Sequence, residues 1–486
     1  MKVRELEPNQ LWNNFADLNA VPRGSKKEEQ VIQFMMDFGK KLGLETINDA
    51  IGNVIIKKPA SVGMEDRKTV ILQSHIDMVH QKNNDTDFNF DTQGIEMIVD
   101  GDWVRANGTT LGADNGIGVA TIMAVLASDS IVHPAIEAMF TIDEETGMTG
   151  AINLDASNFS GEILLNLDTE DDDELSIGCA GGIDTNTSYT YKQEEIAENY
   201  QLFELKVKGL TGGHSGMDID KGRGNANKLA NRLLFSLMMQ SIDFQLVSFD
   251  GGSLRNAIPR EATVVIAVEN SFIDELKSVF SEASFMLKKE LELVEKKCQF
   301  LLSETVSIGS KMTTSDERNK IIQTIYATHN GVFRMSPDIE GLVESSSSLA
   351  RIILKDGEFI TQSLQRSSVE STKDDVANTV RSPFDLIGAT VVQNGEYPGW
   401  QPNSDSAILE IMKSLYKKNF NAEPQVKACH AGLECGILSK HLPSVDMISF
   451  GPNIRAAHSP DEKCQISSVQ KYWNYFLDTL NAIPSK

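Results

Sequence analysis

The sequence is short of positive charge. Its 45 lysines and arginines face 69 aspartates and glutamates, a formal net charge of −24 over 486 residues. Such a chain repels phosphate backbones and anionic bilayer surfaces, which sets nucleic acid and membrane aside as partners. It also suits a protein that binds cations. Long apolar runs are missing too. The most apolar window, 117–127, falls short of the ~20 residues of a membrane span and is bracketed by Asp114 and Asp129, so it reads as a buried helix. The opening stretch MKVRELEPNQLWNNF lacks the apolar segment of a secretory signal. Cysteines number only five (Cys179, Cys298, Cys429, Cys435 and Cys464), an odd count with no CxxC. That excludes a CxxC…CxxC zinc site and points to reduced thiols in the cytoplasm. The glycine-rich loop at 108–116 has neither the Lys-Ser/Thr of a P-loop nor a GxGxxG pattern. It carries Asp114 where an anion would sit, so a phosphate cradle is excluded.

What is present exceeds the size of a single hydrophobic core, so at least two domains are expected. Apolar spacing predicts a helix over 9–18, and Ser25-Lys26-Lys27-Glu28 fits a capping box opening a second helix. Strands at 54–56, 69–73, 102–105, 135–142 and 162–167 alternate with helical stretches. This pattern predicts an α/β fold with a mixed sheet and a site at its strand ends. Gly178-Cys179-Ala180-Gly181-Gly182 interrupts it and reads as a hinge. Beyond lies the order βαββαβ, the ferredoxin-like split unit, and then an incomplete second copy through 342–393. After Gly399-Trp400-Gln401-Pro402 the α/β character returns. The expected layout is one domain in two parts, 1–182 and 396–486, with an α+β domain inserted at 183–395.

The candidate chemistry gathers at strand ends. In Gln73-Ser74-His75-Ile76-Asp77, His75 and Asp77 are two apart, so both leave the strand on one face. A metal-binding histidine needs such a carboxylate on its other nitrogen. Asp114, Glu144 with Glu145, Asp168 and His458 stand at other strand ends or adjoining loops. Taken singly, each of these acids reads as a solvated loop residue, and a lone HxD is weak. Taken together, they form a nitrogen and oxygen set suited to zinc, manganese or cobalt, too large for one ion. Paired ions are the usual apparatus for hydrolysing amides and phosphoesters.

The phrases SHIDMVHQKN, GTTLGADNGIG, DEETGMTGA, LLNLDTED, GCAGGID, GGHSGMDI, RNAIPREA, QRSSVES, HAGLECG and GPNIRAAHSPDE occur in order along nearly the whole chain. They resemble the M20 metallopeptidase family, within it the aminoacyl-histidine dipeptidase type. By this resemblance, 1–182 with 396–486 would be a catalytic domain and 183–395 a lid or dimerisation domain. The resemblance implies two divalent ions per chain, zinc first, with cobalt or manganese as alternatives. His75, Asp114 and Asp168 would hold one ion, and Asp114, Glu145 and His458 the other. Asp77 would orient His75, and Glu144 would be the general base for attack by a water shared between the ions. A cis peptide is implied between Asp114 and Asn115. His214 is implied to reach an active site across a homodimer, and Asn256 and Arg366 to bind substrate. An Arg fork suits a peptide's C-terminal carboxylate. Glu434 is a looser match, either a partner for the substrate's ammonium or a solvated helical residue. The implied activity is hydrolysis of small dipeptides, Xaa-His, carnosine-like and broader, by a cytoplasmic enzyme. A deacetylase of N-acyl amino acids on the same metal core is the closest alternative, and an inactive scaffold another. His80 departs from the family's proline and is expected at the rim. His133, His329, His430 and His441 lack carboxylate company and read as structural.

Overall fold

The computed structural model describes residues 2–306 and 311–486. The chain divides into two compact units, one of Met1–Gly178, Pro402–Ala428 and Leu433–Lys486, the other of Cys179–Gln401 and Cys429–Gly432.

The first unit is built on an eight-stranded mixed sheet. Its centre is four parallel strands, in the spatial order Ile136–Thr141, Val70–His75, Ile163–Asn166 and Asp446–Ser449. Val70, Ile71, Leu72, Leu164 and Leu165 are all buried. Apolar runs without alternation are what a parallel sheet covered on both faces requires. Helix Ala113–Ala127 is buried almost throughout its length. Helix Asn9–Leu18 buries Leu11, Trp12, Phe15 and Leu18, the stripe its spacing predicts. The next helix departs from expectation. It starts at Glu29, and Ser25 makes no cap. The Ser25 hydroxyl donates instead to Asp77 Oδ2 at 2.7 Å. Glu28 likewise turns its carboxylate to the Lys26 and Asp143 N–H groups.

The second unit carries a nine-stranded antiparallel sheet. Strand Tyr200–Lys208, helix Ala226–Met239, strands Phe244–Gly252 and Ala262–Glu269, helix Ile273–Leu291 and strand Gln299–Glu304 form the expected βαββαβ unit. The second copy is complete rather than partial. Its first strand, Gly181–Thr190, precedes the first copy in sequence. Helix Ser315–Ala327, strands Val343–Lys355 and Glu358–Ser367, helix Glu370–Leu386 and strand Thr390–Tyr397 supply the rest. The two copies join where Phe244–Gly252 pairs antiparallel with Val343–Lys355, the corresponding edge strand of each. One apolar core, including Leu233, Leu237, Phe280, Ile321, Ile325 and Phe384, underlies both. Helix Glu370–Leu386 continues through Pro383, so the following strand starts at Thr390, later than its spacing predicts.

The glycine-rich stretch expected as a hinge is mostly strand. Gly181 and Gly182 begin strand Gly181–Thr190, and Cys179 and Trp400 exchange two backbone hydrogen bonds at 2.9 Å. Close packing explains these glycines. A Cβ on Gly181 would fall 2.4 Å from the Gly399 nitrogen, and one on Gly182 would fall 2.6 Å from the Tyr397 ring.

Candidate metal centre and substrate residues

In the first unit the parallel strands deliver their functional side chains at their C-terminal ends, where open α/β sheets place their sites. His75 closes its strand and is 1 % exposed. Its Nδ1 lies 3.3 Å from Asp77 Oδ1, an ion-pair separation without the alignment of a full hydrogen bond. Asp77 does more than orient His75. Its carboxylate also accepts from the backbone N–H groups of Glu144 and Glu145, at 3.1 and 3.3 Å. It thereby ties the histidine to the turn Glu144–Gly147. Burial would raise the Asp77 carboxyl, but His75, Ser25 and the Glu144 N–H hold it below its ordinary value.

Asp114 stands between the two histidines. Its Oδ1 is 3.3 Å from His75 Nε2 and its Oδ2 is 3.2 Å from His458 Nε2. Asp168 Oδ1 lies 3.6 Å from His75 Nε2, and Glu145 Oε2 lies 2.9 Å from His458 Nε2. Among the described residues three groups have the spacing of metal ligands: His75–Asp114–Asp168 and Asp114–Glu145–His458, which share Asp114, and His75–Glu144–Glu145. Glu144 approaches His75 Nε2 at 4.0 Å. The Asp114–Asn115 peptide is cis. Asn115 Nδ2 donates to Asp168 Oδ1 and to the Leu167 carbonyl.

This donor set fits divalent ions. Burial first, with the neighbouring acids, raises the carboxyl pKa values of Glu144, Glu145 and Asp168, although His75, His458 and Asn115 pull the other way. Glu145 Oε1 is buried without a partner. Asp114 and Glu145 push His458 up to about 11. Burial pulls His75 down, but Asp168, Asp114 and Asp77 together hold it well above its ordinary value. Clustered carboxylates that draw protons onto two imidazoles form a site where cations can replace those protons.

Several residues frame the centre through partners that the sequence alone does not reveal. Glu462 is 2 % exposed, and its carboxylate accepts from the N–H groups of Leu111, Gly112, Ala113 and Asp114 at 2.7, 2.9, 2.7 and 3.3 Å. The glycine-rich loop, set aside above as a phosphate cradle, nevertheless cradles an anion, this chain's own Glu462 carboxylate. Arg23 is buried and donates to the carbonyls of Ile76, Asp77 and Gly112, pinning two ligand-bearing segments together. Glu434 is not solvated. It is 1 % exposed, its Oε2 accepts from Gln73 Nε2 at 2.6 Å and Thr141 Oγ1 at 2.7 Å, and its Oε1 has no partner. Burial pushes it up to about 7.

His80 stacks on Phe90, ring centroids 4.2 Å apart, over Gly24, and is half-buried packing rather than a free rim group. His133, His329 and His441 bond backbone carbonyls, as structural histidines do.

The second unit brings His214 beside Arg366. A Cβ on Gly216 would lie 3.1 Å from Arg366 Nε, and Arg366 depresses the His214 imidazole, second to burial. His214 Nδ1 accepts from the N–H groups of Gly216 and Met217 at 3.2 and 3.0 Å. A neutral ring so held carries its proton on Nε2, as a donor. The Asn256 carbonyl accepts from Ser215 N–H at 2.8 Å, fixing that residue to the same loop. His430, expected to be structural, lies by Arg366: burial first, then Arg366 and His214, lower it to about 3.

The chain belongs to peptidase family M20/M25/M40, whose model matches residues 71–482. It is therefore a hydrolase of peptide bonds with the α/β fold of that family. It is 42 % identical over 485 residues to the cytosol non-specific dipeptidase of Escherichia coli K12, covering 100 % of both chains. The solved aminoacylhistidine dipeptidase of Vibrio alginolyticus is 43 % identical, with a TM-score of 0.96 over 100 % of this chain and 99 % of that one. An aminopeptidase of Bacillus cereus shares the fold at 16 % identity, with a TM-score of 0.56 over 98 % and 99 %.

Proposed function

We propose that the protein is a dinuclear metallodipeptidase of the cytoplasm. The observation that carries this reading is the sharing of Asp114 between two ligand groups beside an acid, Glu144, that belongs to the turn between them. His75, Asp114 and Asp168 would hold one divalent ion and Asp114, Glu145 and His458 the other, with zinc the first choice and cobalt or manganese the alternatives. Ions held there supply Lewis-acid charge that polarises a carbonyl and acidifies water. Glu144 takes the proton of the attacking water on its carboxylate and passes it to the leaving amine. Asp77 keeps that carboxylate in place through the Glu144 N–H. His214, held as an Nε2–H donor, steadies the developing oxyanion. Asn256 and Arg366 meet the substrate, Arg366 through the C-terminal carboxylate. Glu434 Oε1 is proposed to receive the substrate's amino group, which favours free dipeptides over N-acyl amino acids.

The resemblance implies a histidine supplied by a second copy. We propose that His214 and Arg366, which lie beside each other in the second unit, act on the same substrate. The edge strand Phe244–Gly252 is already paired within the chain, so this edge is not free to join another copy. A homodimer formed through other surfaces is compatible with this. Turnover of a small panel of dipeptides against their N-acetyl analogues tests the substrate class. Faster cleavage of the N-acetyl compounds would replace the dipeptidase reading with deacetylation.

A further inference from the structure

Arg366 lies in a row that crosses four strands. Ser346 pairs with Arg366, Arg366 with Gly182, and Gly182 with Tyr397. Residues directly opposite one another in a sheet share a face. Ser346, Arg366 and Tyr397 therefore stand side by side, with a gap where Gly182 has no side chain. Tyr397 fills the gap: its ring lies 2.6 Å from where a Gly182 Cβ would be, and 3.0 Å from where a Gly432 Cβ would be. It thereby reaches across one strand, and Arg366 Nη1 donates to its hydroxyl at 2.7 Å. On the other side of Arg366, Ser346 Oγ and His430 Nε2 are 2.7 Å apart. Strand Thr390–Tyr397 is anchored at this point by Lys373, which is fully buried and donates to the Tyr397 carbonyl at 3.1 Å and to Glu370 at 2.7 Å.

The guanidinium is thus held at its Nη1 corner. Arg366 is 4 % exposed, yet its Nε is buried and finds no hydrogen-bond partner among the described residues. A buried donor left unpaired costs free energy until an acceptor arrives. Asp184, on the adjacent strand, is engaged by Arg255 at 3.2 Å. The glycine at 216 matters as well, because a Cβ there would sit 3.1 Å from Nε. Nε and Nη2 lie on the guanidinium edge away from the Tyr397 bond, and two parallel N–H groups on one edge are the fork that grips a carboxylate.

We propose that Tyr397 is a positioning residue for Arg366: by occupying Nη1 across the Gly182 gap, it presents the Nε–Nη2 edge to the C-terminal carboxylate of a dipeptide. Tyr397 does not touch substrate. It sets the enzyme's preference for a free carboxyl end. This rests on the reading of Arg366 as the carboxylate contact.

The experiment compares kcat/KM for one dipeptide and for the same dipeptide as its C-terminal amide, in the wild type, Tyr397→Phe, Arg366→Ala and the double variant. Tyr397→Phe keeps the ring in its slot. It should lower the acid-to-amide ratio about tenfold, as loss of one hydrogen bond to a charged group does, through KM for the free acid. Arg366→Ala should abolish most of the ratio, and Tyr397→Phe should add nothing in that background. A purely structural role for Tyr397 would depress both substrates alike and leave the ratio untouched. That outcome, with Arg366→Ala still collapsing the ratio, overturns the role of Tyr397 alone. If Arg366→Ala leaves the ratio unchanged, the carboxylate reading of Arg366 falls, and this inference falls with it.

Discussion

Replacing Glu462 by glutamine tests how the bridging acid is held. Each Glu462 oxygen accepts from two backbone N–H groups of residues 111–114. Glutamine keeps one accepting oxygen and turns an NH₂ group toward the other pair, so two bonds are lost and two buried donors are stranded. Hydrogen bonds to a charged group contribute ~1.5–3 kcal/mol each. Against this stands the cost of burying the charge, which pushes the Glu462 carboxyl up to about 7. The net loss should be roughly 2–4 kcal/mol, below the plain sum because the buried charge is itself costly. Urea unfolding of the metal-free protein reads that loss. The same segment ends in Asp114, so affinity for divalent ions should also fall by about 10–100-fold, as when other supports of metal ligands are removed. Unfolding within ~0.5 kcal/mol of wild type, together with unchanged metal affinity, would refute the claim that Glu462 holds the loop.

Elemental analysis should find that His75→Ala and Asp168→Ala lose one ion preferentially, Glu145→Ala and His458→Ala the other, and Asp114→Ala both. Glu144→Gln should keep fold and metal but lose about 10²–10⁴-fold in turnover, the usual contribution of general acid–base catalysis. If Glu144→Gln sheds metal while Glu145→Ala keeps both metal and rate, the two acids have exchanged roles. Mixing His214→Ala with Glu144→Ala subunits, with exchange verified, tests which copy supplies the histidine: activity should return if it is donated between copies, as the family resemblance implies, and no recovery would rule that out.

The candidate ligands were legible only as a set. His75, Glu145 and Asp168 follow apolar runs and Asp114 a glycine-rich turn, but singly each acid reads as a solvated loop residue, and the ordered run of family-like phrases singled them out together with His458. The residues around them are placed by partners distant in sequence. Glu462 bonds a segment about 350 positions away, Arg23 the carbonyls of Ile76, Asp77 and Gly112, and Glu434 the Gln73 amide. Ser25 was legible as a helix cap, yet Asp77 takes its hydroxyl in tertiary structure. The repeated βαββαβ unit was legible only in part. The first strand of its second copy, Gly181–Thr190, is separated from helix Ser315–Ala327 by the entire first copy, and its glycines suggested a hinge. Tyr397 meets Arg366 through cross-strand neighbours that a linear reading does not bring together, and His430 meets Ser346 across 84 positions.

The most direct test of the central claim is stoichiometric. The protein is stripped with a chelator, zinc is returned in measured equivalents, and hydrolysis of a dipeptide is followed alongside bound metal. Two ions should bind per chain, and full activity should return only as the second equivalent is taken up. Full activity with one ion bound, or with none, would contradict a dinuclear site centred on Asp114.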